Sequence, residues 1–467
     1  MSEGESCRTI STSNPFTGER IADYRLEPYE EVMAKVAGAR EVFLRWKALP
    51  VSGRVEILGE ALGYFEARSE DIARDISMQM GRPLAHARGE INGLLERGRY
   101  LLSIAEAALA PDPLPAKEGF DRAITHEPLG VVFVISAWNY PLLIAINGVM
   151  AALVAGNAVL FKHSSLTLSI GRHFAEAFGH LEGYEGLLQD AVMDHATTGR
   201  VIESGGVDHV VFTGSVGGGK TIYAHVAKAL IGCNLELGGK DGAYVAADAD
   251  VGASAEALVD GAMYNAGQSC CGVERVYVHE SVYDDFLERA TSLVRAYRLG
   301  DPLDPETTMG PLSTAKAAVD MRRQVEDAVA AGARIVAGGT VEQIGQGTFF
   351  APTLIVDVTH DMALMQEENF GPILPVMKVA SDEEAVRLVN DSCFGLTSII
   401  CTRDRDRAAA FYDAVDTGTV FMNRCDYLDP ALCWTGRKAT GRGGGLSVIA
   451  YHNLTRPKSY HLKKVTK

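Results

Sequence analysis

The sequence predicts an α/β protein of two domains, each built on a sheet of mostly parallel strands. Between residues 131 and 230, short and continuously apolar β-rich runs alternate with helical patterns, as expected for strands covered on both faces. A second series of the same kind begins after Gly239. The length of 467 residues exceeds what one compact core holds and by itself allows two or three domains.

The elements follow in order. In 30–49, Val32, Val36, Ala39, Phe43 and Trp46 fall on one helical face. Further helices are predicted over 55–67, 69–80 and 91–110, with Gly81-Arg82-Pro83 ending the second of these three. Pro111, Pro113 and Pro115 forbid a regular element after that. Strands are expected at 131–136, 158–162 and 208–213, followed by helices at 142–155, 167–178 and 220–230. Parallel sheets bind ligands beyond the carboxyl ends of their strands. Trp138-Asn139, Lys162 and Gly214-Ser215 stand at those ends, so three loops point to one crevice. In the second series, helices are expected at 250–266, 281–297, 315–331 and 383–390, and strands at 275–279, 334–337 and 398–401.

Composition narrows the function classes. The chain carries 44 basic and 60 acidic residues, a net charge of −16 that repels phosphate backbones. Nucleic acid is therefore not an expected partner. No apolar run is long enough to cross a bilayer, and Met1-Ser2-Glu3-Gly4-Glu5 is acidic and polar, unlike a signal peptide. A cytoplasmic protein with no membrane partner is expected. The eight cysteines are Cys7, Cys233, Cys270, Cys271, Cys393, Cys401, Cys425 and Cys433. They show no Cys-x-x-Cys spacing, so neither a disulfide scaffold nor a metal site is predicted.

One cysteine stands apart. In Gly267-Gln268-Ser269-Cys270 a glycine removes bulk near the thiol, and two polar residues argue against plain core. Glu236 lies 34 residues upstream in an apolar strand beside Gly238-Gly239, where desolvation raises a carboxyl pKa toward that of a general base. A thiol and a carboxylate together suit covalent catalysis followed by activation of water. Asn139 has two readings: a cap for the helix that begins near Pro141, or an amide donor to an oxyanion.

Gly214 to Thr221 fits Gly-x-x-x-x-Gly-Lys-Thr letter for letter, between a strand and a helix, so a P-loop nucleotide hydrolase is the rival reading. Three consecutive glycines make that match easy to reach, and several strand-helix units precede it. The same helix start also suits a dinucleotide pyrophosphate near Ser215. No complete Gly-x-Gly-x-x-Gly stands in a strand-turn-helix setting, so a standard Rossmann turn is not supported.

An ordered set of motifs runs through nearly the whole chain. It comprises Asn14-Pro15-Phe16-Thr17-Gly18-Glu19, Ala137-Trp138-Asn139-Tyr140-Pro141, Ala155-Gly156-Asn157, Phe212-Thr213-Gly214-Ser215, Glu236-Leu237-Gly238-Gly239 and Gly267-Gln268-Ser269-Cys270. Met309-Gly310-Pro311-Leu312, Glu367-Glu368-Asn369-Phe370-Gly371-Pro372, Asn390-Asp391 with Phe394-Gly395-Leu396, and Gly441-Arg442 complete it. In this order the motifs resemble the NAD(P)-dependent aldehyde dehydrogenase superfamily. The resemblance implies an aldehyde dehydrogenase-like α/β fold: a dinucleotide-binding domain from 1–108 and 128–237, a catalytic domain over 238–438, and a small β bridging or oligomerisation element from 109–127 and 439–467. It implies a small-molecule aldehyde as substrate, NAD or NADP as cofactor, and a homodimer or homotetramer.

By the same resemblance Cys270 is the nucleophile, Glu236 activates the water that hydrolyses the thioester, and Asn139 with the Cys270 N–H holds the oxyanion. Trp138, Lys162, Ser165, Gly214, Ser215, Leu237, Glu368 and Phe370 are the implied cofactor contacts. Lys162 and Glu368 would serve the two riboses. Ser165 replaces a glutamate that repels a 2′-phosphate in NAD-preferring relatives, which opens the site to NADP. Two departures stand out. Gly148 occupies the position of a lysine found in many relatives, and Cys433-Trp434-Thr435-Gly436 replaces the usual Pro-Phe-Gly-Gly. Asp426, Tyr427 and Asp429 in the preceding loop are expected to disfavour anionic aldehydes and to favour neutral, aromatic or amine-bearing ones. A binding protein that has lost activity is the third reading, and the intact Cys270, Glu236 and Asn139 argue against it.

Overall fold

Two parallel sheets organise the chain. The computed structural model describes residues 8–464; the acidic start at 1–5 and Cys7 lie outside the described residues. The first sheet has six strands in the spatial order Gly441–Arg442, Gly232–Glu236, His209–Thr213, Val131–Ile135, Ala158–Lys162 and Leu188–Asp190. All neighbours pair in parallel except Gly441–Arg442, which returns antiparallel on the edge. Val131–Ile135 is buried throughout, which explains why it reads as an unbroken apolar run. The second sheet has seven strands: Arg334–Ala337, Thr353–Val356, Ile373–Val379, Val273–His279, Asp241–Val245, Thr397–Cys401 and Thr419–Met422. Only its edge strand Arg334–Ala337 runs antiparallel to its neighbour.

Helices cover both sheets, and their ends show where local chemistry outweighs pattern. The helix expected from 91 begins at Leu84, directly after the extended backbone of Pro83, and runs to Ala108. The helix expected from 220 begins at Val216, because the Ser215 Oγ accepts the Gly218 N–H at 3.2 Å and caps it. That cap outweighs the low helix propensity of Gly217, Gly218 and Gly219. The helix expected over 250–266 stops at Met263, since Asn265 and Ala266 both turn left-handed with φ 55°. The helix expected over 55–67 is split into Val51–Ala61 and Gly63–Ala67.

A further strand pair, Thr9–Ser13 with Arg20–Arg25, opens the described chain, in a stretch for which no element was predicted. A separate two-stranded ribbon pairs Phe120–Pro128 with Thr455–Lys463 along its full length.

Two apolar cores result. One gathers residues from Val32 to Leu237 and is completed by Ala450, Tyr451 and Leu454 from the far end of the chain. The other draws on Ala243 to Val415. Residues 441–454, grouped with the bridging element in the sequence reading, therefore pack on the first sheet. Asn157 fastens them. Its fully buried amide donates to Ala152 O at 3.1 Å and Leu454 O at 2.9 Å, and its Oδ1 accepts the Gly130 N–H at 3.0 Å. Replacing it strands buried backbone groups. Asn157→Ala is expected to cost about 2–4 kcal/mol, read as a lower denaturant midpoint.

Candidate active site

The segment carrying Cys270 is held in an unusual backbone shape by buried polar groups. Asn265, Ala266 and Gly267 are consecutive left-handed residues, at φ 55°, 55° and 69°. Such a run costs free energy in any residue with a Cβ, so surrounding contacts must over-determine it. The Asn265 Nδ2 donates to Asn139 O and to Gln268 O, both at 3.1 Å. The Gln268 side chain donates to Asn265 O at 3.0 Å and accepts the Ser313 N–H at 3.0 Å. Gly267 is required for space as well, because a Cβ there would overlap the Gly371 backbone. That contact brings the Glu368–Pro372 loop against the cysteine loop.

Arg82 ties these loops to the first sheet. Its fully buried guanidinium donates to Asn265 Oδ1 at 3.0 Å, pairs with Glu90, reaches the Asn139 carbonyl oxygen, and lies 4.5 Å from the Tyr140 ring centre. Glu90 in turn accepts the Leu142 and Leu143 N–H groups at 2.7 and 3.1 Å, capping the helix Pro141–Val154. The Asn139 side chain is thereby free of capping duty. Its Nδ2 donates once, to Gln268 O at 3.2 Å, which leaves one amide hydrogen. Among the described residues the Cys270 N–H makes no hydrogen bond.

Cys270 stands on a wall shared by two cavities. One, of about 330 Å³, is lined by Glu236, Arg97, Asn147, Tyr140, Asp426 and Trp434 among others. The second, of about 220 Å³, is lined by Trp138, Asn139, Ser215, Gly238, Glu368 and Phe370 among others. Cys270, Thr213 and Leu237 line both.

Glu236 ends its strand facing the larger cavity. Its Oε2 accepts the Thr213 hydroxyl at 3.4 Å, and the bare backbone of Gly445 approaches its Oε1. Burial pushes its carboxyl up to about 7, against the pull of the Arg97 charge and the Thr213 hydroxyl.

The smaller cavity offers what a dinucleotide needs. Ser215 and the glycines after it present a helix N-terminus. Glu368 accepts the Gly239 N–H at 3.0 Å, and a Cβ on Gly238 would strike its carboxylate. Burial, then the nearby Glu274, pushes the Glu368 carboxyl up. Trp138 and Phe370 meet edge to face at 5.8 Å. Lys162 and Ser165 follow the neighbouring strand and do not line this cavity; Lys162 is half-buried and Ser165 exposed.

The structure also answers the rival reading of Gly214 to Thr221. Gly217, Gly218 and Gly219 are already helical, and the Thr221 hydroxyl bonds back to Gly217 O at 3.1 Å. No loop remains there to wrap a phosphate.

The departures find places. Gly148 faces the first sheet, where a Cβ would meet Val134 and Val211 at 3.1 and 3.2 Å. The cavity-lining residue of that turn is Asn147. Trp434 is held by a two-way backbone bridge to Gly445, at 2.8 and 2.7 Å. Asp426 is drawn inside, accepting from Cys271 Sγ at 3.0 Å and from the Ser269 and Tyr140 hydroxyls at 3.4 Å. Burial pushes its carboxyl up to about 6. Cys271 is buried, and the adjoining Cys270, burial and Asp426 push its thiol well above the ordinary range. Arg97 was missed by the sequence reading, since a lone arginine in a helical pattern reads as a solvated face.

Peptide mapping after brief iodoacetamide treatment is expected to find Cys270 alkylated ahead of Cys271, because only Cys270 is partly exposed and Cys271 is held as a buried thiol.

Comparison with known proteins agrees with this geometry. The family model described as "Aldehyde dehydrogenase family" matches residues 1–460. The chain is 34% identical over 451 residues to a succinate-semialdehyde dehydrogenase [NADP(+)] of Deinococcus radiodurans, covering 97% of this chain and 94% of that protein. It is 34% identical over 441 residues to succinate-semialdehyde dehydrogenase [NADP(+)] 1 of Mycobacterium tuberculosis, covering 94% and 96%. The crystal structure of lactaldehyde dehydrogenase from Escherichia coli superposes with a TM-score of 0.95 at 28% identity, over 99% of this chain and 97% of that one. A fold, a two-cavity cleft and a family model that coincide over nearly the full length have one reading: the chain belongs to the aldehyde dehydrogenase family.

Proposed function

We propose that Cys270 is the nucleophile, Glu236 the general base and Asn139 an oxyanion donor in the oxidation of a small aldehyde to its carboxylic acid. The place of Cys270 on the wall common to two cavities carries this reading. The sulfur adds to the carbonyl carbon, and the oxygen takes the negative charge. The unused Asn139 amide hydrogen and the unbonded Cys270 N–H are the donors for it. When bound, NAD(P) supplies the hydride acceptor. The acyl group then remains on sulfur as a thioester. Glu236 takes a proton from water, the water oxygen adds to the acyl carbon, and the carbon–sulfur bond breaks to release acid and thiolate.

The dinucleotide residues divide by chemistry. Gly214, Ser215 and the helix N-terminus serve the pyrophosphate, Glu368 the nicotinamide ribose, and Leu237, Trp138 and Phe370 the walls around the ring. Lys162 and Ser165 serve the adenosine end. Ser165 carries no charge against a 2′-phosphate, and the two succinate-semialdehyde dehydrogenases named above are NADP(+) enzymes. These support NADP alongside NAD. The ribbon of Phe120–Pro128 and Thr455–Lys463, which exposes Tyr460 and Leu462, supports a homodimer or homotetramer. All seven described cysteines are free, in keeping with a cytoplasmic setting, and no described helix is long and apolar enough to cross a membrane.

Cys270→Ala is expected to abolish turnover of an aldehyde panel while dinucleotide binding, followed by titration, persists; remaining turnover would sink the assignment. Glu236→Gln is expected to give one burst of reduced cofactor and then stall, as seen by stopped-flow absorbance. The sign of the pH dependence follows from burial. The Glu236 carboxylate is protonated below about 7 and ionised above it, so thioester hydrolysis rises with pH through about 7 and then levels off. Single-turnover rates across pH 5 to 9 read this limb, which Glu236→Gln removes.

A further inference from the structure

We propose that Arg97 binds a negatively charged carboxylate at the far end of the aldehyde, so that the preferred substrates are short aldehydes carrying a terminal carboxylate. This rests on the aldehyde-oxidising reading of the same cavity.

The argument starts from what Arg97 lacks. It lies on the helix Leu84–Ala108, is 7% exposed, and lines the larger cavity together with Cys270. Both of its hydrogen bonds leave from one nitrogen, to Asn147 Oδ1 at 3.2 Å and to Leu143 O at 3.4 Å. Among the described residues no carboxylate lies within ion-pair distance, and its other two nitrogens have no acceptor. Arg82 and Arg275, also buried, have an acceptor at each nitrogen. Arg82 is paired with Glu90. Arg275 spreads its three nitrogens over four acceptors, while Arg54 reaches two backbone carbonyls from two of its nitrogens. Neither of these two lines the cavity. A desolvated guanidinium with idle N–H groups is costly, and a carboxylate matches its planar fork with two parallel hydrogen bonds.

The acidic groups around the cavity do not fill that role. Glu90 is committed to Arg82 and to the helix N-terminus. Asp426 accepts from three donors, one of them the Tyr140 hydroxyl that faces the same space. Glu96 accepts the Tyr427 hydroxyl at 2.7 Å on the rim. Glu236 bonds Thr213 and is partly protonated at neutral pH, and Cys271 is held as a neutral thiol. The loop acids expected to repel anionic aldehydes are thus engaged, while the one strong buried cation is idle. Leu143, Ile144, Leu428 and Trp434 supply apolar wall for a short hydrocarbon between the two polar ends.

The test compares 4-oxobutanoate with 4-methylpentanal, whose isopropyl end copies the carboxylate in shape without charge. In the wild-type enzyme kcat/KM is expected to favour 4-oxobutanoate. In Arg97→Met the ratio of the two kcat/KM values is expected to fall by about 10- to 100-fold, through KM rather than kcat, the loss typical of a charged hydrogen bond. Arg97→Lys should recover part of it. A second measurement needs no variant: succinate should compete with 4-methylpentanal more strongly than neutral succinamide does. A ratio unchanged by Arg97→Met, an equal loss on both aldehydes, or equal competition by succinate and succinamide overturns the proposal. If 4-methylpentanal is oxidised while 4-oxobutanoate is not favoured, only this proposal fails. If no aldehyde is oxidised with either cofactor, the underlying reading fails with it.

Discussion

The site depends on one buried guanidinium. Arg82 joins three segments that are far apart in sequence: the helix bearing Glu90, the backbone of Asn139, and the side chain of Asn265. Burying a charge is expensive unless it is paired and hydrogen-bonded, and Arg82 is paired with Glu90 and has an acceptor at each of its three nitrogens. It therefore admits few arrangements of those segments. Through Asn265 Oδ1 it adds one more contact to those that hold the left-handed run at Asn265–Gly267. The carbonyl of Asn139 is fixed to Arg82, and its side chain to the loop that ends in Cys270. The groups proposed to react inherit their positions from this node.

The two neighbouring cysteines illustrate how environment separates identical chemistry. Cys270 lines both cavities, whereas Cys271 meets only the larger one, is buried, and donates to Asp426. A carboxylate that accepts a thiol proton holds that thiol neutral, so the second sulfur stays a thiol. Asp426, an acidic residue in a loop, serves here as an interior acceptor.

Much of this was legible in the sequence, and the gaps have causes. Ala158–Lys162 and the other central strands read well because burial on both faces leaves an unbroken apolar run. The pair Thr9–Ser13 and Arg20–Arg25 did not, because both strands are largely exposed and polar. Helix starts were misread wherever a side chain far from the apolar face decided them, as Ser215 does. The cysteine motif was visible because its residues are adjacent. The Arg82 node and Arg97 were not, since their environment is made by the helix Pro141–Val154 folding across Leu84–Ala108, and charge alone reads as surface. Asp426 was misplaced for the same reason.

The way the first core is closed has a consequence for how this chain is made. Its sheet, apart from one edge strand, is encoded before residue 237, yet Ala450, Tyr451 and Leu454 complete its packing, and Asn157 waits for the Leu454 carbonyl. The second core draws on a single continuous stretch. On the ribosome the first core therefore cannot close until residue 454 has been made. Until then its apolar surface needs shielding, and the second core, though made later, is free to settle before it.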